Sequence, residues 1–505
     1  MLMVQGTSSS VGKSLLVAGL CRLLREEGLR VAPFKAQNMA LNAAVTPEGL
    51  EIGRAQAVQA EAAGIEPSVH MNPLLLKPEG DSRCQVVVLG RPLASIPAQE
   101  YYRERERFWE TICTSLEKLR EEYDAVLIEG AGSPAEINLR EGDLVNMRVA
   151  RHADAPVLLV GDIDRGGVFA SLLGTLALLD PEERSLVQGL VINKFRGDVS
   201  LLGSGLRMLA ERAGVPVLGV VPYIRNLRIS DEDSANLEPG PGKRGPLDVA
   251  VVRLPRISNF DDFDLLAAEQ AIGLRYVDDP IRLGRPDLII LPGSKSTVAD
   301  LQHLRETGMA RAIVAQARTG TPVLGICGGY QMLGETILDP AGVESPDPKV
   351  DGLGLLPAVT TFSKTKRTVR VTARVAAKAG PFGRGADACL EAYEIHMGTT
   401  LHRGEPAFLV REGDEYIPDG CISPDGLVVG SYLHGLFENP PLRSSLISWL
   451  AERRGITLPS SADEVAGREA EYDRLAATLR RHLDVAAIMR ILEEGPRTRA
   501  LSLRP

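Results

Sequence analysis

Thr321-Pro-Val-Leu-Gly-Ile-Cys327-Gly-Gly-Tyr-Gln-Met-Leu-Gly334 is the stretch around which the chain reads as organised. An apolar, β-favouring run from Val323 to Ile326 leads into Cys327, two glycines and a helix-like segment. A side chain at a strand-to-helix turn is thrust out of the backbone, and glycines beside it let other backbone approach closely. The first N–H groups of the helix stabilise a thiolate and lower the thiol pKa. In this context Cys327 reads as a nucleophile rather than as a buried cysteine acting as a small hydrophobe.

A thiolate nucleophile needs a base and an oxyanion hole. Asp287-Leu-Ile-Ile-Leu-Pro-Gly293-Ser294-Lys295 ends a second strand in a turn. Gly293 and Ser294, with Gly328 after the cysteine, are the expected oxyanion-hole residues. Of the seven histidines, His396 and His434 stand at plausible strand ends in this half. His434, in Leu427-Val-Val-Gly-Ser-Tyr-Leu-His434-Gly, is the stronger choice, because strand ends on one sheet edge converge. A Cys327–His434 pair can attack a carboxamide, release ammonia and leave a thioester for water.

The chain begins with a different device. Met1-Leu-Met-Val-Gln runs into Gly6-Thr-Ser-Ser-Ser-Val-Gly12-Lys13-Ser14 and then an amphipathic helix. Backbone N–H groups of such a loop cradle phosphates, Lys13 bridges the outer ones and Ser14 ligates Mg²⁺. Gly6, Thr7, Ser8, Val11, Gly12, Lys13 and Ser14 are therefore expected ATP contacts, with Asn193 of Gly189-Leu-Val-Ile-Asn193 a candidate for the base. Five residues separate Gly6 from Gly12 where the usual loop has four, and this longer loop resembles that of dethiobiotin-synthetase-type enzymes. Lys35, Gln37 and Asn38 follow the next strand and are candidates for substrate or phosphate contact. Glu129, ending the buried strand Asp124-Ala-Val-Leu-Ile-Glu129, and Glu51, at a helix start, are expected to join Ser14 around Mg²⁺. An ATP site of this kind turns an unreactive carboxylate into an acyl phosphate, so the two halves together suggest ATP-driven amidation with glutamine as nitrogen donor.

Composition sets the frame. A chain of 505 residues is too long for one core, and 44% hydrophobic with 24% charged content is ordinary for a globular protein. A net charge of −9 offers no footprint for nucleic acid or an anionic membrane. Six scattered cysteines with no Cys-x-x-Cys spacing argue for reduced thiols, and against a disulfide framework or a zinc site. No signal peptide and no apolar run long enough to span a bilayer are seen, so the expected location is the cytoplasm. Short apolar runs alternating with helical patterns predict an α/β protein. Its expected parts are a parallel-sheet ATP-dependent synthetase domain over 1–238, a Pro/Gly-rich linker over 239–247, an amidotransferase domain over 248–455 and a helical tail over 456–505.

Nearly the whole sequence resembles the cobyric acid synthase family, the glutamine-dependent amidotransferases of cobalamin biosynthesis. Beyond the phosphate loop, the first half carries Phe34-Lys-Ala-Gln-Asn-Met-Ala-Leu-Asn42, Glu51-Ile-Gly-Arg-Ala-Gln56 and Gly161-Asp-Ile-Asp-Arg-Gly-Gly167. The second half carries Ile257-Ser-Asn-Phe-Asp-Asp-Phe-Asp264, Leu291-Pro-Gly-Ser-Lys-Ser-Thr297, the Cys327 elbow and Tyr432-Leu-His-Gly435. The Phe34–Asn42 and Ile257–Asp264 strings narrow the class. The resemblance implies a dethiobiotin-synthetase-like P-loop domain and a class I glutamine amidotransferase-like domain. It also implies four successive amidations of peripheral carboxylates on adenosyl-cobyrinic acid a,c-diamide, each using ATP, Mg²⁺ and L-glutamine. Leu436 stands where an ordinary class I triad places Glu, which leaves the residue orienting His434 open, with Glu438 as a guess. The competing readings are an a,c-diamide synthase, a cell-wall-precursor amidotransferase, and a P-loop regulatory ATPase with an inert glutaminase-like domain. The first two are not expected to carry Phe34–Asn42, and the intact Cys327 and His434 argue against the third.

Overall fold

The computed structural model describes residues 1–79, 83–225, 227–229, 245–385, 388–458 and 467–496. The chain divides into two compact units: residues 1–40, 52–232 and 466–505 form the first, and 41–51 with 233–465 the second. Most of the linker expected at 239–247 lies outside the described residues. Among the described residues no helix is long and apolar enough to cross a membrane.

The first unit is built on a six-stranded sheet whose neighbours all run parallel. From one edge to the other the order is Val217–Pro222, Val187–Phe195, Val157–Asp162, Leu2–Gly6, Ala125–Glu129 and Val31–Phe34. Leu2–Gly6 and Ala125–Glu129 are buried at every position, as strands covered by helices on both faces must be. The adjacency of these two strands brings the phosphate loop and Glu129 to one sheet edge, where open α/β sheets bind ligands.

The tail does not stand apart, as a separate 456–505 segment would. Helices Arg468–His482 and Val485–Glu494 share the core of the first unit, with Tyr472, Leu475, Leu479 and Ile488 clustered against Leu16 and Leu20. Gly19 permits the approach, because a Cβ there would lie 2.5 Å from Leu479 Cδ1. Arg22 adds ion pairs to Glu469 at 2.8 Å and to Asp473 at 2.5 Å. Sequence order hides this pairing, since the partners lie more than 440 residues apart.

The second unit has its own six-stranded sheet in the order Ile272–Val277, Leu247–Val252, Leu288–Leu291, Val323–Ile326, Val428–Ser431 and Cys421–Ile422, parallel except for the last strand. The alternating run read from Lys364 to Val375 is part of the long strand Ala358–Val375, paired antiparallel with Cys389–His402. A two-residue ladder joins Ile257–Ser258 to Gly293–Ser294 and so sets the Ile257–Asp264 string beside the Gly293 turn. The segment 41–51, although early in sequence, belongs to this unit: Ala43 exchanges hydrogen bonds with the Asn259 side chain, and Arg370 donates to the Val45 carbonyl at 2.7 Å.

Candidate functional site

In the first unit, the loop after Leu2–Gly6 is shaped by its two glycines. A Cβ at Gly6 would lie 2.5 Å from Val11 Cγ2, and Gly12 has φ +95°, a region L side chains avoid. Asn193 Nδ2 packs on Gly12 and donates to the Val11 carbonyl at 2.8 Å, and Lys194 Nζ donates to Ser10 O at 2.5 Å. Asn193 thus braces the loop backbone through its Nδ2. Lys13, buried at the helix start, donates to Ser8 O at 3.0 Å and Gly132 O at 3.1 Å. Thr7 N–H donates to Val160 O at 2.9 Å and ties the loop to the neighbouring strand.

Glu129 is the hub of this site. Its Oε1 accepts from Ser14 Oγ at 2.8 Å and faces Lys35 Nζ at 3.0 Å, while Oε2 accepts from Gln59 Nε2 at 2.6 Å. Gln59 was missed in the sequence. Its signal was a pair of glutamines, Gln56 and Gln59, one turn apart in the alanine-rich helix Arg54–Ala63, where both are fully buried. Of the three residues Lys35, Gln37 and Asn38, Lys35 is the one paired with Glu129. Asn38 Nδ2 donates to Gln56 Oε1 at 3.0 Å, and Gln37 Oε1 accepts from the Tyr101 hydroxyl. Glu51 ends the segment 41–51 of the second unit, and its buried carboxylate pairs with Lys366 Nζ at 2.5 Å.

The hydroxyl of Ser14 and the carboxylate of Glu129 are hard oxygen donors set side by side, a donor chemistry that suits Mg²⁺. Among the described residues no group of three or more His, Cys, Asp and Glu could hold a metal alone, so such an ion would draw its remaining ligands from phosphates and water.

In the second unit, Cys327 sits between strand Val323–Ile326 and helix Gly328–Leu333 with φ 51° and ψ −108°. A positive φ at a non-glycine residue is strained, and such strain concentrates at functional turns. The elbow is held by Cys327 N–H donating to Ser431 O at 2.8 Å, which links it to the strand leading to His434. It closes only because Gly329 lacks a side chain: a Cβ there would lie 2.0 Å from Leu291 O. Cys327 Sγ donates to Ile395 O at 3.5 Å.

Gly293, Ser294 and Gly328 gather around the same point. A Cβ on Gly328 would lie 2.9 Å from Ser294 N, and one on Gly293 would lie 3.2 Å from His434 Cε1. His434 is fully buried, and its Nδ1 lies 2.7 Å from Asp262 Oδ2. The other oxygen of Asp262 accepts from Gly435 N–H at 2.9 Å. Asp262, and not Glu438, is therefore the acid on His434. It lies in the Ile257–Asp264 string, 172 residues before the histidine, where no spacing rule could connect them. Tyr393 stacks on the imidazole with ring centroids 5.1 Å apart, and Asn259 Nδ2 donates to its hydroxyl at 3.0 Å.

Burial alone would depress the His434 pKa, but the Asp262 carboxylate and the Cys327 sulfur outweigh it and push the imidazole up to about 10.

Comparison with known proteins assigns these two units. Residues 2–237 match the CobQ/CobB/MinD/ParA nucleotide binding domain, and residues 248–442 match the CobB/CobQ-like glutamine amidotransferase domain. A cobyric acid synthase from Sorangium cellulosum (strain So ce56) is 54% identical over 97% of this chain and 98% of its own. The chain belongs to the cobyric acid synthase family. Further relatives of that name agree: one from Dehalococcoides mccartyi (strain CBDB1) is 51% identical over 98% and 99% of the two chains, and one from Citrobacter koseri is 50% identical over 98% of each. Membership of the cobyric acid synthase family makes the chain an amidotransferase enzyme with a nucleotide-binding half and a glutaminase-type half.

Proposed function

We propose that this chain uses ATP and glutamine to amidate four peripheral carboxylates of adenosyl-cobyrinic acid a,c-diamide, giving adenosyl-cobyric acid. One observation carries the reading: a chain of this family holds both a phosphate loop closed onto Glu129 and a strained cysteine elbow served by a His434–Asp262 pair.

In the glutaminase half, Asp262 keeps the His434 proton on Nδ1 and leaves Nε2 to take the proton from Cys327. Cys327 attacks the glutamine side-chain carbonyl, while N–H groups of the Gly293–Ser294 turn and Gly328 stabilise the oxyanion. His434 returns its proton to the leaving nitrogen. Ammonia departs, and water then cleaves the thioester to glutamate and regenerates the thiol.

In the synthetase half, Lys13 and the loop N–H groups bind the phosphates of ATP, and Lys35 adds positive charge beside them. Ser14 and Glu129 would hold Mg²⁺, which when bound neutralises charge on the phosphates. A substrate carboxylate oxygen attacks the γ-phosphorus and ADP leaves; ammonia then displaces phosphate from the acyl phosphate to form the amide. Free carboxylate does not condense with ammonia at neutral pH, which is why the ATP half is required.

The test is mass spectrometry of the corrinoid diamide incubated with the enzyme, ATP, Mg²⁺ and glutamine. The expected result is a stepwise mass change as each acid OH becomes NH₂. ATP and glutamine consumption without any change in the corrinoid would overturn the assignment.

A further inference from the structure

A cavity of about 650 Å³ opens in the first unit beside the phosphate loop, and the reaction described above does not yet use it. Its lining includes Ser9 of the loop and Gly132, whose carbonyl accepts from Lys13. Its lining also includes Met39, Tyr102 and Leu139, which are 53%, 47% and 43% exposed. Three large apolar side chains left open around one cavity indicate a ligand with an apolar face, because singly scattered exposure is the ordinary pattern.

The charges of the wall are unequal in their commitments. Arg140 is bound to Glu183 and Asp180, Arg148 to Glu106, and Arg151 to Glu182. Asp143 accepts from the N–H groups of Val145, Asn146 and Arg148. Arg105 differs: among the described residues it enters no ion pair, and it is half-buried with its guanidinium 4.9 Å from the centre of the Tyr102 ring. Gly142 makes room for it, since a Cβ there would lie 1.9 Å from Arg105 Nη2. Among the described residues, the one lining carboxylate outside such pairings, Glu136, is exposed to solvent, which screens it.

We propose that this cavity seats the acceptor of the amidation, with Arg105 binding one of its carboxylates while another lies toward Ser9 and Lys13. The inference rests on the function proposed above and adds the location of the acceptor. A planar guanidinium on an aromatic ring suits a carboxylate presented at the edge of a flat apolar body, and the corrinoid is such a body with acids on its periphery. Several acids on one acceptor would explain a single arginine as anchor: one carboxylate is held while its neighbour reacts.

The experiment compares wild type with Arg105→Ala, Arg105→Lys and Leu139→Glu in ammonium-dependent amidation, varying the corrinoid diamide at saturating ATP. Arg105→Ala is expected to raise the acceptor KM at least tenfold with the KM for ATP within about twofold, and Arg105→Lys to recover part of the loss. Leu139→Glu, an exposed change that spares the core, is expected to raise the acceptor KM through repulsion and settles the matter if Arg105→Ala melts well below wild type. An active wild type with acceptor KM unchanged in Arg105→Ala and Leu139→Glu overturns this site alone. A wild type that leaves the corrinoid unmodified overturns the function on which it rests.

Discussion

Asp262→Asn isolates the acid that the structure puts behind His434. The side chain keeps its size, but the amide cannot serve both partners. If its oxygen continues to accept from Gly435 N–H, its NH₂ faces Nδ1 and drives the histidine proton to Nε2, the atom that must receive the proton of Cys327. The charge is lost as well. For Asp262 and an imidazolium with charge centres about 4 Å apart, an effective dielectric near 20 gives about 4 kcal/mol, or roughly three decades of rate. Glutamate release is the assay, with ammonium-dependent synthesis as the control. Hydrolysis should fall about a thousandfold in kcat with little change in KM, while ammonium-dependent synthesis persists. The pH profile adds a second readout. The His434 pKa is raised in the folded protein, so its ion pair with Asp262 contributes fully to stability below the ordinary imidazole value of about 6.5 and is lost as pH rises toward 10. In Asp262→Asn the imidazole returns toward that ordinary value, so the variant's Tm should decline less steeply than that of wild type from pH 6 to 9. Hydrolysis within about threefold of wild type across that range would refute the role of Asp262.

Three further outcomes are expected. Cys327→Ser should abolish use of glutamine and retain synthesis from ammonium, since thiolate chemistry is confined to the second unit; glutamine-dependent turnover at the wild-type rate would contradict this. Lys13→Ala should remove synthesis with either nitrogen source, by roughly three decades, through lost charge stabilisation at the transferred phosphoryl group; survival of ammonium-dependent synthesis within about threefold would show that the loop does not act on phosphate. Glu129→Gln should raise the Mg²⁺ concentration for half-maximal synthesis while glutamine hydrolysis continues. It should also lower Tm, because the carboxylate accepts from both Ser14 and Gln59, and an amide NH₂ facing either donor costs about 1–3 kcal/mol. An unchanged Mg²⁺ titration would leave Glu129 with a packing role only.

Much of this molecule was legible in its residues, because some signals are local. A strand, two glycines and a lysine–serine pair specify a loop whose backbone cannot close otherwise, and Gly12 at φ +95° is the conformational requirement behind the motif. The Cys327 elbow is legible for the same reason, and the strands around it form one parallel sheet that carries His434 to the cysteine's edge. Partnerships between distant residues were not legible. Asp262 meets His434 because a two-residue ladder lays its string beside the Gly293 turn, and Gln59 meets Glu129 because a helix face is turned onto a strand end. The ion pair of Glu51 with Lys366 was not legible either, because it joins residues 315 positions apart. The closing helices read as amphipathic, but which core they complete follows from Gly19 and Arg22 near the other end of the chain. Periodicity and turn chemistry therefore determine the elements, since they act over a few residues. Register and packing determine which side chains meet, since burial rewards complementary surfaces whatever their separation in sequence.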